Sequence, residues 1–281
     1  MTVLLYPNPL KDTDLSVTCQ AARLLDSYGV RVLLPSGLDP DAVCQQAKSL
    51  PMEQALAEAD QVITIGGDGT LLRAAEQCLE AGKPLLGINL GRIGFLATCE
   101  TDEMPQKLKR LAQGDYHLEP RTLLRVEKNG DAWSASALND VVLYGKSRLH
   151  PMDYSVYCDG VFVCRYRSDG MIAATPTGST AYSLSAGGPI LDAAAPVFVL
   201  NAICPHSPRQ IPMVFSATRR VTVVAESANR DDILVSADSR VSCALAPGDE
   251  VDIYLAKTQL QLVAFDRAEQ FRAIETKLMR R

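Results

Sequence analysis

Residues 62–73 read VITIGGDGTLLR, and the fold turns on how this stretch is parsed. Val62, Ile63 and Ile65 form a short apolar run rich in β-branched residues, which predicts a buried strand of an α/β sheet. Gly66, Gly67 and Gly69 follow, allowing a tight turn whose backbone amides can approach a ligand closely. Leu71, Leu72, Ala74, Ala75, Cys78 and Leu79 then repeat at helical spacing, with Thr70 as a candidate cap and Gly82 as the stop. Strand, glycine turn and helix start together make an anion site, because free amides and the helix dipole both point at the loop. Asp68 stands in the middle of it. A carboxylate beside a phosphate is unfavourable unless it holds a metal or accepts a proton. The pattern lacks the GK[ST] of the Walker loop and the G-x-G-x-x-G of dinucleotide-binding turns.

On either side of this stretch, strands and helices alternate. Residues 2–6 predict a first strand. After Pro9, Leu15, Cys19, Ala22, Leu25 and Tyr28 fall at spacings of three or four, a helix of about fifteen residues closed by Gly29. Residues 30–34 predict a second strand. Residues 39–59 read as mostly helical, interrupted by Pro51. Residues 85–88 predict a strand feeding the loop NLGRIGFLAT, and residues 101–113 a helix closed by Gly114. This alternation predicts a mostly parallel, doubly wound sheet.

From about residue 115 the texture changes to short β-rich runs, among them LLRVEK, DYSVYC, VFVCRY, VFVLNA and VTVVAE. The pairs Asn129 and Gly130, and Asp159 and Gly160, are two-residue hairpin signals between such runs. The fold class expected is therefore α/β plus all-β. A Rossmann-like parallel domain covers residues 1–113, a C-terminal β-sandwich covers 114–264, and a helical tail over 265–281 returns to the first domain.

The length of 281 residues suits two modest domains, and 47% hydrophobic with 22% charged residues is ordinary for a globular protein. A net charge of −5 with no basic face or tail argues against nucleic-acid binding. No apolar run approaches the roughly 18 residues of a membrane span. The start has no basic segment and its apolar run is short for a signal peptide. The 8 cysteines show no C-x-x-C pair and no clustering with the 3 histidines, so metal-ligand spacing is absent. Scattered thiols in such a chain read as reduced, and the expected compartment is the cytoplasm.

A second constellation lies at residues 167–190, RSDGMIAATPTGSTAYSLSAGGPI. Ser179, Thr180, Ser183 and Ser185 offer hydroxyls, Gly178, Gly187 and Gly188 open the backbone, and Tyr182 offers an aromatic face with a polar tip. These are the groups expected where a ribose and a flat ring are held. A small-residue helix packed tightly between the two expected domains fits the same composition.

GGDGT resembles the loop shared by NAD kinases, diacylglycerol and sphingoid lipid kinases and, more distantly, phosphofructokinases. The run DG-x(5)-TPTGSTAYSLSAGGP is similar to the dinucleotide-binding segment of NAD kinases. The resemblance continues in Asn139 and Asp140, in GINLGRIGFLAT, in Pro205, His206 and Ser207, and in Asp238 and Ser239, so it covers most of the chain.

The resemblance implies phosphoryl transfer from ATP, or polyphosphate, to the 2′-hydroxyl of the adenosine ribose of NAD. Asp68 would be the general base. Gly66, Gly67 and Thr70 would bring donors to phosphates, with Gly69 at NAD, and Mg²⁺ would accompany the triphosphate. Arg73, one turn into the helix, reads equally as a phosphate contact or a solvated charge. Asn139 and Asp140 match the pair that holds adenosine. Arg167 and Asp169 match positions flanking the dinucleotide, and Thr180, Ala181, Tyr182 and Ser185 match those around NAD. His150 aligns through a variable loop. The family commonly forms homodimers or homotetramers.

The chain departs from the family where histidine often stands at Arg92, arginine near Ile211 and glutamine at Arg240. Arg240 follows Asp238 and would meet a phosphate instead of a neutral ribose group, which leaves the preference between NAD and NADH open. A charged Arg167 is more typical of ATP users. A lipid or sugar kinase sharing GGDGT, and a catalytically silent dinucleotide-binding subunit, are the competing readings. The first lacks a membrane-facing apolar or basic patch, and the second is at odds with the presence of Asp68.

Overall fold

A computed structural model describes residues 1–39, 43–44, 46–91, 94–147, 150–207 and 210–279. The chain divides into two compact units, Met1–Pro120 with Leu260–Arg281, and Arg121–Gln259.

In the first unit, strands β1 (Thr2–Pro7), β2 (Arg31–Pro35), β3 (Lys48–Leu50), β4 (Gln61–Gly66), β5 (Leu85–Asn89) and β6 (Cys99–Glu100) pair in parallel. Their order is β3-β2-β1-β4-β5, with β6 beside β5, and Leu262 adds a further parallel pairing to Leu85. Helices α1 (Ser16–Ser27), α2 (Met52–Glu58), α3 (Asp68–Glu80) and α4 (Met104–Ala112) connect them. Val3, Leu5, Ile63, Ile65 and Ile88 pack with Ala22 and Leu25 of α1 and Leu108 and Leu111 of α4. Gly87 faces the other way, where an added Cβ would lie 3.0 Å from Leu71 Cδ1 of α3. Helices thus cover both faces, and the strands read as apolar runs instead of alternating. All six residues of β4 are buried.

Two expectations for this unit need correction. Of the mostly helical stretch expected over 39–59 and interrupted by Pro51, residues 40–42 and 45 lie outside the described residues, and the part from residue 48 is a strand followed by a short helix. Residues 48–50 pair with Leu33, Leu34 and Pro35 of β2, and helix starts only after Pro51, whose ring suits a helix N-terminus. The first helix begins at Ser16, where Asp12 caps it: its carboxylate accepts from the amides of Val17 (3.2 Å) and Thr18 (2.9 Å).

The second unit is built from β7 (His117–Lys128), β8 (Ser134–Ala137), β9 (Asp140–Gly145), β10 (Met152–Cys158), β11 (Val161–Ser168) and β12 (Gly170–Ala174). After the one-turn helix α5 (Tyr182–Ser185) it continues through β13 (Val197–Ile203), β14 (Met213–Ser216), β15 (Val221–Ala225), β16 (Ile233–Ala237), β17 (Arg240–Leu245) and β18 (Glu250–Ala264). One antiparallel set runs β11-β10-β15-β18 with β7 and β8 alongside; a second antiparallel sheet runs β14-β13-β12-β9-β16-β17. Both contribute to one core, in which Tyr154, Val156 and Val223 of the first meet Leu143, Met171 and Phe198 of the second.

Asp159 and Gly160 form the expected two-residue turn, with φ of 50° and 78° between paired Cys158 and Val161. Asn129 and Gly130 do not. The paired residues there are Glu127 and Ser134, and the amide of Lys128 reaches Trp133, which leaves a longer loop. Beyond β18 the expected helix over 266–281 is short, α6 (Glu269–Ile274), with a wider π-type turn over Glu275–Met279.

Candidate active site

The first unit places Asp68 at the start of α3. Its half-buried carboxylate is gripped by three consecutive amides: Phe95 donates to Oδ2 (2.8 Å), and Leu96 (3.1 Å) and Ala97 (2.9 Å) donate to Oδ1. This fixes the carboxylate in place beside the glycine turn. Two glycines make the approach possible. A Cβ on Gly94 would overlap Asp68 Oδ1 and lie 2.9 Å from its Cγ. A Cβ on Gly87 would lie 2.6 Å from Ala97 Cα, so the loop carrying the amides rests directly on β5. Lys107 of α4 anchors the next residue, donating to the Thr98 carbonyl (3.0 Å), and Glu269 of α6 accepts from the Thr98 hydroxyl (2.8 Å). Lys107 also pairs with Glu103 (2.9 Å) and Glu269 (3.4 Å). Burial opposes its charge, yet these two carboxylates hold its pKa above the usual lysine value.

The turn itself is tight. Gly67 has φ 154°, and a side chain there would meet Lys11 Nζ at 3.0 Å and Asn89 Oδ1 at 3.2 Å. Gly66 has no room for a Cβ because the Thr70 side chain lies against it. Thr70 is buried and its hydroxyl accepts from Asn8 Nδ2 (3.0 Å), which ties the loop after β1 to α3. Gly69 is exposed, at the first turn of the helix where amides lack intrahelical partners. Arg73 is exposed and lines a cleft of its own with Thr70.

In the second unit a cavity of about 510 Å³ opens on the face of β9, β12 and β16, lined by Asp140, Val142, Tyr144, His150, Asp169, Tyr182, Ile203, Cys204, Ser236 and Ser239. One edge is again an aspartate held by three amides. Asp238 accepts from Leu138 (2.7 Å), Asn139 (2.8 Å) and Asp140 (3.2 Å). It can do so because Asp238 and Ser239 form a two-residue turn with φ of 47° and 66° between paired Ala237 and Arg240. Burial, with the Asp238 charge beside it, pushes the Asp140 carboxyl up to about 7. Burial raises Asp238 as well, against the three amides and Arg240.

The segment after β12 is folded onto the same strands. Thr175 donates its hydroxyl to the Leu138 carbonyl (2.6 Å) and accepts from the Gly178 amide (3.0 Å). An added Cβ on Gly178 would lie 2.6 Å from Asn139 Cα, so only glycine lets this turn close over Asn139. Thr180, Ala181 and Ser185 continue this segment without lining the cavity, while Tyr182 lines it with a half-exposed ring. Arg167 lies in a neighbouring cleft of about 380 Å³ shared with His150, where it pairs with Asp153 (3.0 Å). Arg240 directly follows the Asp238 turn. Arg92 lies outside the described residues, and Ile211 is exposed. Sequence reasoning missed Lys11, Asn89, Cys204 and the amides of residues 95–97; an apolar residue contributing only its backbone leaves no side-chain signal.

Comparisons with known proteins bear on these two sites. A family model described as the ATP-NAD kinase N-terminal domain matches residues 3–116, and one described as the ATP-NAD kinase C-terminal domain matches residues 138–265. An NAD kinase of Nitrosococcus oceani is 39% identical over 222 residues, covering 78% of this chain and 76% of that protein. One of Tolumonas auensis is 37% identical over 260 residues, covering 91% and 88%. Among solved structures, a yeast NADH kinase complexed with NADH superposes with a TM-score of 0.86 at 25% identity, over 99% of this chain and 87% of that one. An NAD kinase from Archaeoglobus fulgidus in complex with ATP superposes with a TM-score of 0.75 at 26% identity, over 99% of each chain.

Proposed function

The chain belongs to the ATP-NAD kinase family and phosphorylates NAD, and from that premise we propose that Asp68 is the base of the transfer. The observation that carries this is the carboxylate held by the amides of Phe95, Leu96 and Ala97 beside the glycine turn. Asp68 accepts the proton of the adenosine 2′-hydroxyl as its oxygen bonds to the γ-phosphorus of ATP. The bond to the β,γ-bridging oxygen breaks, ADP leaves, and NADP is the product. General-base help of this kind is worth roughly 10²–10⁴ in rate, and positioning and charge neutralisation supply the rest.

The acceptor reads onto the second unit. Asp140 and Asn139 take the adenosine ribose and base edge, Tyr182, Asp169 and His150 frame the dinucleotide, and Arg167 and Arg240 meet its phosphates. Thr180, Ala181 and Ser185 shape the approach. The donor reads onto the first unit, where Gly66, Gly67, Gly69, Thr70 and Arg73 surround the helix start. The relatives' structures with NADH and with ATP support this pair of nucleotides. Among the described residues no group of three or more His, Cys, Asp or Glu is placed to hold a metal ion. A Mg²⁺ carried on the donor's phosphates would need at most one or two protein carboxylates and would neutralise phosphate charge when bound.

We read the first unit as a doubly wound nucleotide domain completed by the C-terminal helix, and the second as a β-sandwich. The exposed Val161, Phe162 and Val163 on edge strand β11 support a homodimer or homotetramer. Eight cysteines, none of them in a disulfide among the described residues, support a reducing, cytoplasmic setting.

The test is NADP⁺ formation by purified protein given NAD⁺, Mg²⁺ and ATP, beside an Asp68→Asn variant. The wild type turns over; the variant binds NAD⁺ and loses nearly all turnover. Unchanged turnover in the variant would remove Asp68 from the role of base.

A further inference from the structure

The segment that grips Asp68 has little regular structure to hold itself. None of residues 94–98 lies in a helix or strand, and the strand that follows, β6, is two residues long. Such a stretch keeps three consecutive amides in line only where other groups fix it. On one side that support is β5, since Ala97 rests against Gly87. On the other it is Thr98, the residue next to the last gripping amide. The Thr98 carbonyl accepts from Lys107 Nζ (3.0 Å), and its hydroxyl donates to Glu269 Oε2 (2.8 Å).

Glu269 arrives from 171 positions away, at the start of α6. Its side chain is only 9% exposed, with Lys107 Nζ 3.4 Å from Oε1. The helix has a different carboxylate for its own needs. Asp266 accepts from the Ala268 amide (2.9 Å) and pairs with Arg272. Within its own segment Glu269 accepts from the Phe265 amide at a longer 3.4 Å. Burying a carboxylate is unfavourable unless it is paired and hydrogen-bonded. Here the shorter bond goes to Thr98, and the ion pair goes to the lysine that holds the Thr98 carbonyl. The Phe265 ring stands beside that lysine, its centroid 5.8 Å from Nζ, and the Phe265 carbonyl accepts from Arg110 (3.2 Å).

We propose, resting on the reading of Asp68 as the base, that Glu269 of the C-terminal segment is a positioning residue for phosphoryl transfer. It acts through Thr98 and Lys107 on the residues whose amides orient the carboxylate. Consecutive Cα atoms are about 3.8 Å apart across a rigid peptide plane, so a shift of Thr98 passes to Ala97 almost undiminished. Ala97 and Leu96 share Oδ1 of Asp68, so that shift turns the carboxylate. A misplacement on the order of 1 Å at a reacting group costs about a hundredfold in rate. With the β5 support still in place, loss of Glu269 costs part of that, about tenfold. The C-terminal helix thus contributes a carboxylate to the frame of the base, 201 positions after Asp68 in the chain.

The experiment compares the full-length wild type with Glu269→Ala, Glu269→Gln, which keeps an oxygen for the Thr98 hydroxyl, and Thr98→Val, which removes that hydroxyl. Steady-state NADP⁺ formation and amide hydrogen exchange are measured on each. In Glu269→Ala and Thr98→Val, kcat should fall about tenfold with KM for NAD⁺ and ATP within about twofold, and Glu269→Gln should recover most of the loss. Exchange at the amides of residues 95–97 should quicken about tenfold in the same two variants, while β1 and β4 keep wild-type protection. A folded Glu269→Ala enzyme with wild-type kcat overturns the proposal. So does exchange at 95–97 that is unchanged, or that quickens together with β1 and β4, because a merely structural role loosens the whole unit. Retained turnover in Asp68→Asn would strike the reading of the base instead. Exchange needs no turnover, so it reports on the hold over Asp68 in either case.

Discussion

Gly94 is the residue whose alteration most directly tests whether Asp68 must be held, rather than merely present. Its φ is not in the left-handed region, so alanine is compatible with the backbone and the effect is purely steric. The added methyl would overlap Asp68 Oδ1, approach Cγ to 2.9 Å and approach the Ala97 carbonyl to 3.0 Å. A carboxylate cannot yield there without giving up the two amides on Oδ1, Leu96 and Ala97, which hold it at 3.1 and 2.9 Å. Hydrogen bonds to a charged group contribute about 1.5–3 kcal/mol each, but Asp68 is only half-buried and water replaces part of the loss. The stability cost of Gly94→Ala is therefore about 1–3 kcal/mol, the range of a small overpacking. The catalytic cost is larger in proportion. A misplacement on the order of 1 Å at a reacting group costs about a hundredfold in rate. Steady-state NADP⁺ formation should show kcat down about a hundredfold with KM for NAD⁺ within about twofold, and a thermal melt should show a folded protein. A folded Gly94→Ala enzyme with wild-type kcat would refute the claim that the amide grip positions the base.

Titration gives a second prediction. Asp140 is raised to about 7 in the folded protein from 3.8, so its contribution to stability is full below pH about 3.8 and is lost as pH rises through 7. NAD⁺ affinity runs the other way, increasing through pH 7 as the carboxylate ionises and accepts ribose hydroxyls. Melts and NAD⁺ titrations between pH 5 and 8 check both against Asp140→Asn, which should flatten each profile; a wild-type affinity flat across that range would remove Asp140 from the ribose. A third concerns Lys107, whose side chain is 12% exposed beside Glu269 at 9%. Lys107→Ala strands that buried carboxylate and should cost about 3 kcal/mol, read by denaturant unfolding. Its loss also frees the Thr98 carbonyl, so turnover should fall with stability; a cost below about 1 kcal/mol would show that water screens the pair.

What could be read ahead of the structure, and what could not, divides along a physical line. A strand of β-branched residues, a glycine turn and an amphipathic helix are local patterns, and the stretch at 62–73 shows all three in β4, Gly67 and α3. The parallel and antiparallel halves were legible for the same reason. Residues 48–50 were not, because a three-residue edge strand is decided by its neighbour β2 and not by its own propensity. In the second unit Asp140, His150, Asp169 and Tyr182 do share one cavity, although they are 42 positions apart at the extremes, from 140 to 182. Family likeness pointed to them; spacing alone does not.

The opposite case is instructive about where chemistry hides. Each unit contains an aspartate held by three consecutive amides, Asp68 by residues 95–97 and Asp238 by residues 138–140. The donors are the backbones of Phe95, Leu96, Ala97, Leu138, Asn139 and Asp140. Any residue but proline would supply the same N–H, so side-chain identity carries almost no record of the role. The record is displaced onto whatever must stay small or turn sharply to let the two backbones meet. Around Asp68 that is Gly94, against the carboxylate, and Gly87, under Ala97. Around Asp238 it is a turn with two residues at positive φ, which tilts the carboxylate back over its own sheet. A glycine in a run such as GRIGFLAT, where no turn calls for it, is then evidence of a close approach by a group far away in sequence, and here that group is the carboxylate proposed to take the proton.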